Sequence, residues 1–189
     1  NLRMFVRSSQ QTAHRTIARS LSLLRGLDPL LTPSVLHALR SAGHGDEIVV
    51  VDCNFPAVST AKHTNRGEAI VVAGADSTQL GKAILSVFPV DAFDPSPVSF
   101  MGVVGEPDKL VVAHTEFKAE LDAVSRQDDG TAWPFVSVER FDFYDRAAAA
   151  YCIIQAGGER RPFANFIIKK GVIGPDGTDL TPAKAAALE

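Results

Sequence analysis

Long apolar runs, an excess of basic charge and a repeating cysteine pattern are all missing from this 189-residue chain. No apolar stretch approaches the roughly 20 residues that span a bilayer, so a membrane is not an expected partner. Lysine and arginine number 19 against 22 acids, a net charge of -3. Nucleic-acid binders carry a concentrated basic face, and none is expected here. Two cysteines, Cys53 and Cys152, are too few for a disulfide framework. Each sits in an apolar run, so both are expected to be buried free thiols in a reducing compartment. The phosphate-cradling P-loop, the GxGxxG fingerprint and the GxSxG elbow are absent as well. Gly102-Val103-Val104-Gly105 reads as a strand and its turn.

What is present describes an ordinary soluble domain, 46% hydrophobic and 22% charged, long enough to enclose one core. Residues 1–25 hold five arginines, several serines and no acid. That composition suits either an N-terminal extension or a mitochondrial presequence. The domain is expected over residues 26–175, followed by a tail at 176–189 whose last five residues resemble vector sequence.

The elements alternate. Thr32 and Pro33 open a helix with Val35, Leu36 and Leu39 on one stripe, and Gly43 is expected to stop it. Ile48–Val51 is a β-branched run that reads as a buried strand. Further strands are expected at 69–73, 98–104, 135–140, 151–155 and 165–172. Helices are expected at 76–88, 115–125 and 144–150, with a turn at Asp128-Asp129-Gly130. Strands alternating with helices, without a repeat or a low-complexity linker, imply a single α/β domain. Its sheet should be mixed or largely parallel and flanked by helices.

Two residues stand out chemically. Asp52 lies just past an apolar strand, where ligands of open α/β sheets gather. Alternation would put Asn54 on the same side. The aspartate is equally suited to capping a local turn. His44 follows the helix stop among small and acidic neighbours and is the side chain best fitted to move protons near neutral pH. Spacing alone favours a solvent-facing histidine after a helix end. His14, His37, His63 and His114 lack comparable surroundings. His44, Asp46, Glu47 and Asp52 match no zinc or calcium spacing, so no metal and no cofactor are expected.

Three motifs in order give these residues a context. Gly43-His44-Gly45-Asp46-Glu47-Ile48 is followed by Asp52-Cys53-Asn54-Phe55-Pro56-Ala57. Next comes Glu139-Arg140-Phe141-Asp142-Phe143-Tyr144-Asp145-Arg146-Ala147. The third is Gly158-Glu159-Arg160-Arg161, then Ala164-Asn165 and Lys169-Lys170-Gly171-Val172. Over residues 26–173 the chain resembles the L-fucose mutarotase and D-ribose pyranase family, with Gly45 and Asn54-Phe55-Pro56 closer to the fucose branch.

The resemblance implies a fold of that family and a free monosaccharide as substrate. It implies His44 as general acid, and Asp52, Arg140, Phe163, Ala164 and Asn165 as sugar-binding residues. Phe163 stands where the family carries tyrosine, so a hydroxyl is absent there. The implied reaction opens a pyranose ring and closes it on the other face, with Asp52 orienting hydroxyls or acting as base. Pyranose–furanose exchange of ribose, or a non-catalytic sugar-binding role accessory to transport, are the alternatives. Ring-shaped homo-oligomers, decamers or octamers with sites at subunit contacts, are also implied. A cytoplasmic location is expected, or mitochondrial import if residues 1–25 are a natural presequence.

Overall fold

The computed structural model describes residues 23–124 and 130–188. Helix α1 (Pro33–Ser41) begins where Thr32 accepts a hydrogen bond from Val35 N–H, with proline in its first turn. It ends at Ala42, which is extended, so Gly43 is not the stop. The left-handed residue of this turn is Gly45 (φ 83°). Strand β1 (Glu47–Val51) follows, then a short helix α2 (Ala57–Ala61) that the sequence pattern did not anticipate. Strand β2 (Ile70–Val72) leads into α3 (Ser77–Leu85), whose N-terminus carries a reciprocal cap between Asp76 and Gln79. Strand β3 (Val98–Met101) and helix α4 (Val112–Val124) come next. The expected helix end at Ser125 and the turn residues Asp128 and Asp129 lie outside the described residues.

Strand β4 (Phe135–Val138) is shorter than expected, and α5 (Arg140–Ala149) starts four residues earlier than its alanine-rich stretch suggests. The cause is Glu139, whose carboxylate accepts Phe141 N–H at 2.6 Å and caps the helix. Arg140 therefore opens a helix and does not close a strand. After β5 (Cys152–Ala156), the expected strand at 165–172 is divided into β6 (Phe166–Lys169) and β7 (Val172–Ile173). The latter pairs only with β8 (Asp179–Leu180), and α6 (Pro182–Ala186) takes in Ala185 and Ala186.

The main sheet has the order β2-β5-β1-β6-β3-β4. β1 and β2 run parallel to β5, β3 runs parallel to β4, and β6 runs antiparallel to both β1 and β3. Five strands thus point one way and β6 alone points back. Both faces are covered, which is why β1 is apolar from Ile48 to Val51 and does not alternate there. Ile48 and Val50 pack under α1, α3 and α4 with Leu39, Ile84, Phe117 and Phe166. Val49 and Val51 pack with Phe143, Ala147 and Ile167 beneath α2 and α5. The architecture is a single mixed α/β domain of three layers.

Cys152 is buried in this core, where burial pushes its thiol up to about 12. Cys53, expected to be buried, is exposed, because the strand ends at Val51 and the chain turns. Among the described residues no helix is long and apolar enough to cross a membrane.

Candidate active site

The reversed direction of β6 determines which residues meet. The carboxyl ends of β1, β3 and β4 lie at one edge of the sheet, and the amino end of β6 arrives at the same edge. Asp52 follows β1, Met101 ends β3, Arg140 comes just after β4, and Asn165 immediately precedes β6. Four segments far apart in sequence thus line one cleft of about 210 Å³, with Asn54, Phe55, Tyr144, Pro162 and Phe163. This is the edge at which open α/β sheets bind ligands.

At the floor, Asp52 and Asn165 are joined twice. Asp52 N–H donates to Asn165 Oδ1 at 2.9 Å, and Asn165 Nδ2 donates to Asp52 Oδ2 at 3.0 Å. The first bond fixes which end of the carboxamide faces the carboxylate. Asp52 Oδ1 accepts Asn54 N–H (2.8 Å) and Phe55 N–H (3.0 Å), so the aspartate does cap a turn. The turn also ends the strand alternation expected to carry Asn54. Asp52 is 2% exposed and Asn165 3%. Burial raises the Asp52 carboxyl above the ordinary carboxylate value; these hydrogen bonds oppose the rise, and the charge of Glu159 adds to it. A carboxylate with raised proton affinity is a more effective base near neutral pH.

Arg140 stands at the rim. Its Nε donates to Tyr144 Oη at 3.2 Å, and its guanidinium lies 5.5 Å from the Tyr144 ring and 5.9 Å from that of Phe141. Phe163 lines the cleft with φ 65°, the one non-glycine residue with positive φ among the described residues. For a bulky side chain that conformation costs about 1–3 kcal/mol and persists only where neighbours impose it. Ala164 does not line the cleft: it is buried in the core, and its carbonyl accepts Ser77 Oγ at 2.7 Å.

The loop before Phe163 is held by Glu159. Its Oε1 accepts Arg161 N–H and Nε, and its Oε2 accepts Arg161 Nη2 and Ser77 N–H. Burial alone would push Glu159 up, but these bonds and the arginine's charge hold it below the ordinary value. Gly158 is required beside it, since a Cβ there would lie 2.7 Å from Gly74 O.

His44 is not in this cleft. It precedes β1 whereas Asp52 follows it, and five residues of strand separate them by roughly 17 Å. The histidine lines a separate, mostly apolar hollow of about 380 Å³ with Arg40, Phe88, Lys170 and Ile173. Its Nε2 lies 3.2 Å from Asp91 Oδ1, its ring meets Phe93 edge-on at 5.9 Å, and half its side chain is exposed. A buried carboxylate on one ring nitrogen sets the tautomer and leaves the other nitrogen free for proton transfer. Asp46 and Glu47 are occupied elsewhere, by Gly43 N–H and Arg146. Among the described residues no group of three or more metal-ligating side chains converges.

Sequence reasoning missed Asp91, Met101, Tyr144 and His114. Asp91 lies in a proline- and aspartate-rich loop whose composition signals only a turn. His114, fully buried, meets the site loop through a backbone atom that no side-chain pattern can announce.

Several known proteins resemble this chain in sequence and fold. Human fucose mutarotase (Homo sapiens) is 37% identical over 150 residues, covering 79% of this chain and 94% of that protein. A solved structure described as a putative sugar binding protein is 42% identical, with a TM-score of 0.74 over 80% of this chain and 97% of its own. The fucose mutarotase of Streptococcus pneumoniae, solved in complex with L-fucose, is 32% identical, with a TM-score of 0.68 over 80% of this chain and all (100%) of its own. A family profile matches residues 25–173. The chain belongs to the RbsD / FucU transport protein family.

Proposed function

We propose that this chain catalyses anomer exchange of L-fucose or a stereochemically related free sugar, at a site that joins two copies of the chain. Asp52, Arg140 and Asn165 of one copy bind the sugar, and His44 of a neighbouring copy supplies the acid. Protonation of the ring oxygen and removal of the anomeric hydroxyl proton break the C1–O5 bond. Rotation about C1–C2 and reversal of the same transfers close the ring on the other face. Asp52 accepts the hydroxyl proton in this scheme and returns it on closure.

The observation that carries the reading is the buried Asp52–Asn165 couple under an open cleft. Closed small-molecule sites span about 300–1,000 Å³. A cleft of about 210 Å³ is below that range, as expected of a site that lacks a wall. His44 and Asp52 lie at opposite edges of one sheet, so they can share a site only where the two edges of different copies meet, and a head-to-tail contact of that kind can close into a ring. Exposed apolar side chains occur at both edges, Phe93 and Ile173 near His44, and Phe141 and Val136 near Arg140. A reducing compartment such as the cytoplasm suits the two free thiols.

NMR exchange between sugar anomers tests the activity. L-Fucose should interconvert faster with the protein than without it, and His44→Ala should lose about 100- to 10,000-fold of the acceleration. Full exchange by His44→Ala would overturn the acid assignment. Exchange confined to the ring forms of D-ribose would move the activity to the sister reaction, and binding without exchange would leave an accessory role.

A further inference from the structure

Among the described residues, the least accessible histidine ring touches the site loop without entering the cleft. His114 lies in the first turn of α4 and is fully buried. Val111 N–H donates to its Nδ1 at 3.3 Å, and its Nε2 lies 2.8 Å from Phe163 O. An amide can only donate and a carbonyl can only accept. The ring is therefore neutral with its proton on Nε2, the one form that satisfies both partners. Burial lowers its proton affinity, in keeping with that form.

The carbonyl it holds belongs to Phe163, the residue kept at φ 65°. The next two carbonyls are also held: Ala164 O by Ser77 of α3, and Asn165 O by Met101 N–H of β3. Three successive peptide units are thus fixed by three different elements. Of the three anchors, only His114 acts on the residue whose backbone is strained.

We propose that His114 is a positioning residue for the sugar site. Its Nε2–H holds the Phe163 carbonyl, keeps that residue left-handed and so sets the Asn165 carboxamide against Asp52. The consequence for catalysis rests on the cleft being the sugar site; the consequence for loop geometry does not.

Two readouts separate these. His114→Phe keeps a buried ring but cannot donate, and His114→Gln retains an N–H donor. In the NMR spectrum of the full chain without sugar, the Asn165 side-chain amide should shift or broaden in His114→Phe and return toward its original position in His114→Gln. An unchanged Asn165 amide in folded His114→Phe would overturn the proposal, whatever the protein does to sugars. In anomer exchange, His114→Phe should lower kcat/KM by at least about tenfold, because small misplacements of binding groups are costly. Phe163→Gly removes the steric penalty of the left-handed backbone. In that background the same His114→Phe substitution should cost less than about threefold. A purely structural role predicts equal losses in both backgrounds, and that result would overturn the positioning role. If His114→Phe does not fold, His114→Leu, a smaller apolar side chain that also cannot donate, carries both arms with the same expected direction.

Discussion

Both oxygens of Asp52 are engaged, one by the turn that follows β1 and one by Asn165, yet burial still raises its proton affinity. A carboxyl whose folded value exceeds its unfolded one of 3.8 stabilises the fold most at low pH, and that contribution is lost as pH rises through the folded value. Asp52→Asn removes this titration and leaves the other groups in place. The stability of the wild-type chain relative to Asp52→Asn should therefore fall as pH rises from about 4 to 7, as read by paired thermal melts. A constant difference would show that Asp52 titrates normally. Phe163 allows a second test at this scale. Phe163→Tyr keeps the ring and the left-handed backbone but adds the missing hydroxyl. One net hydrogen bond is worth about 0.5–1.5 kcal/mol, so KM for L-fucose should fall by roughly 2- to 12-fold if the hydroxyl reaches the sugar. No change in KM would place the ring outside substrate contact.

Helices α3 and α4 act together as the support of the site loop. Ser77 and Glu116 reach it from α3 and α4, the latter through Arg161 at 2.6 Å, and His114 reaches it from the start of α4. Their packing depends on Gly81, where a Cβ would lie 2.3 Å from the Phe117 ring, itself stacked at 3.9 Å on Phe166. Gly81→Ala should destabilise the chain by about 1–3 kcal/mol, measured by denaturant unfolding, because the core has no room for the added methyl. A neutral substitution would mean that the two helices separate more easily than this packing implies. Much at this scale was legible: Thr32-Pro33 opened α1, and the β-branched run gave β1. The start of α5 was misplaced because alanine content drew the helix toward Tyr144, whereas a single capping carboxylate at Glu139 sets it. Helix α2, five residues long, is too short to show a period.

For the whole molecule, the neighbouring motifs that carry His44 and Asp52 suggest one site, because they are only eight positions apart in the sequence. A strand lies between them and carries them to opposite edges. Asn165, 113 positions beyond Asp52, is the residue that meets it, through the one antiparallel strand of the main sheet. The family resemblance singled out these residues; which of them lie together depends on strand direction, which a single sequence does not display. In the proposed mechanism the acid and the carboxylate of one site come from different copies. Mixing His44→Ala with Asp52→Asn tests it most directly. Each variant alone should be nearly inactive. After unfolding and refolding in equal amounts, head-to-tail assembly gives about one quarter of the sites an intact His44 facing an intact Asp52. About one quarter of wild-type anomer exchange should return in the mixed assembly. Mixed assemblies that form but remain as inactive as the separate variants would contradict it.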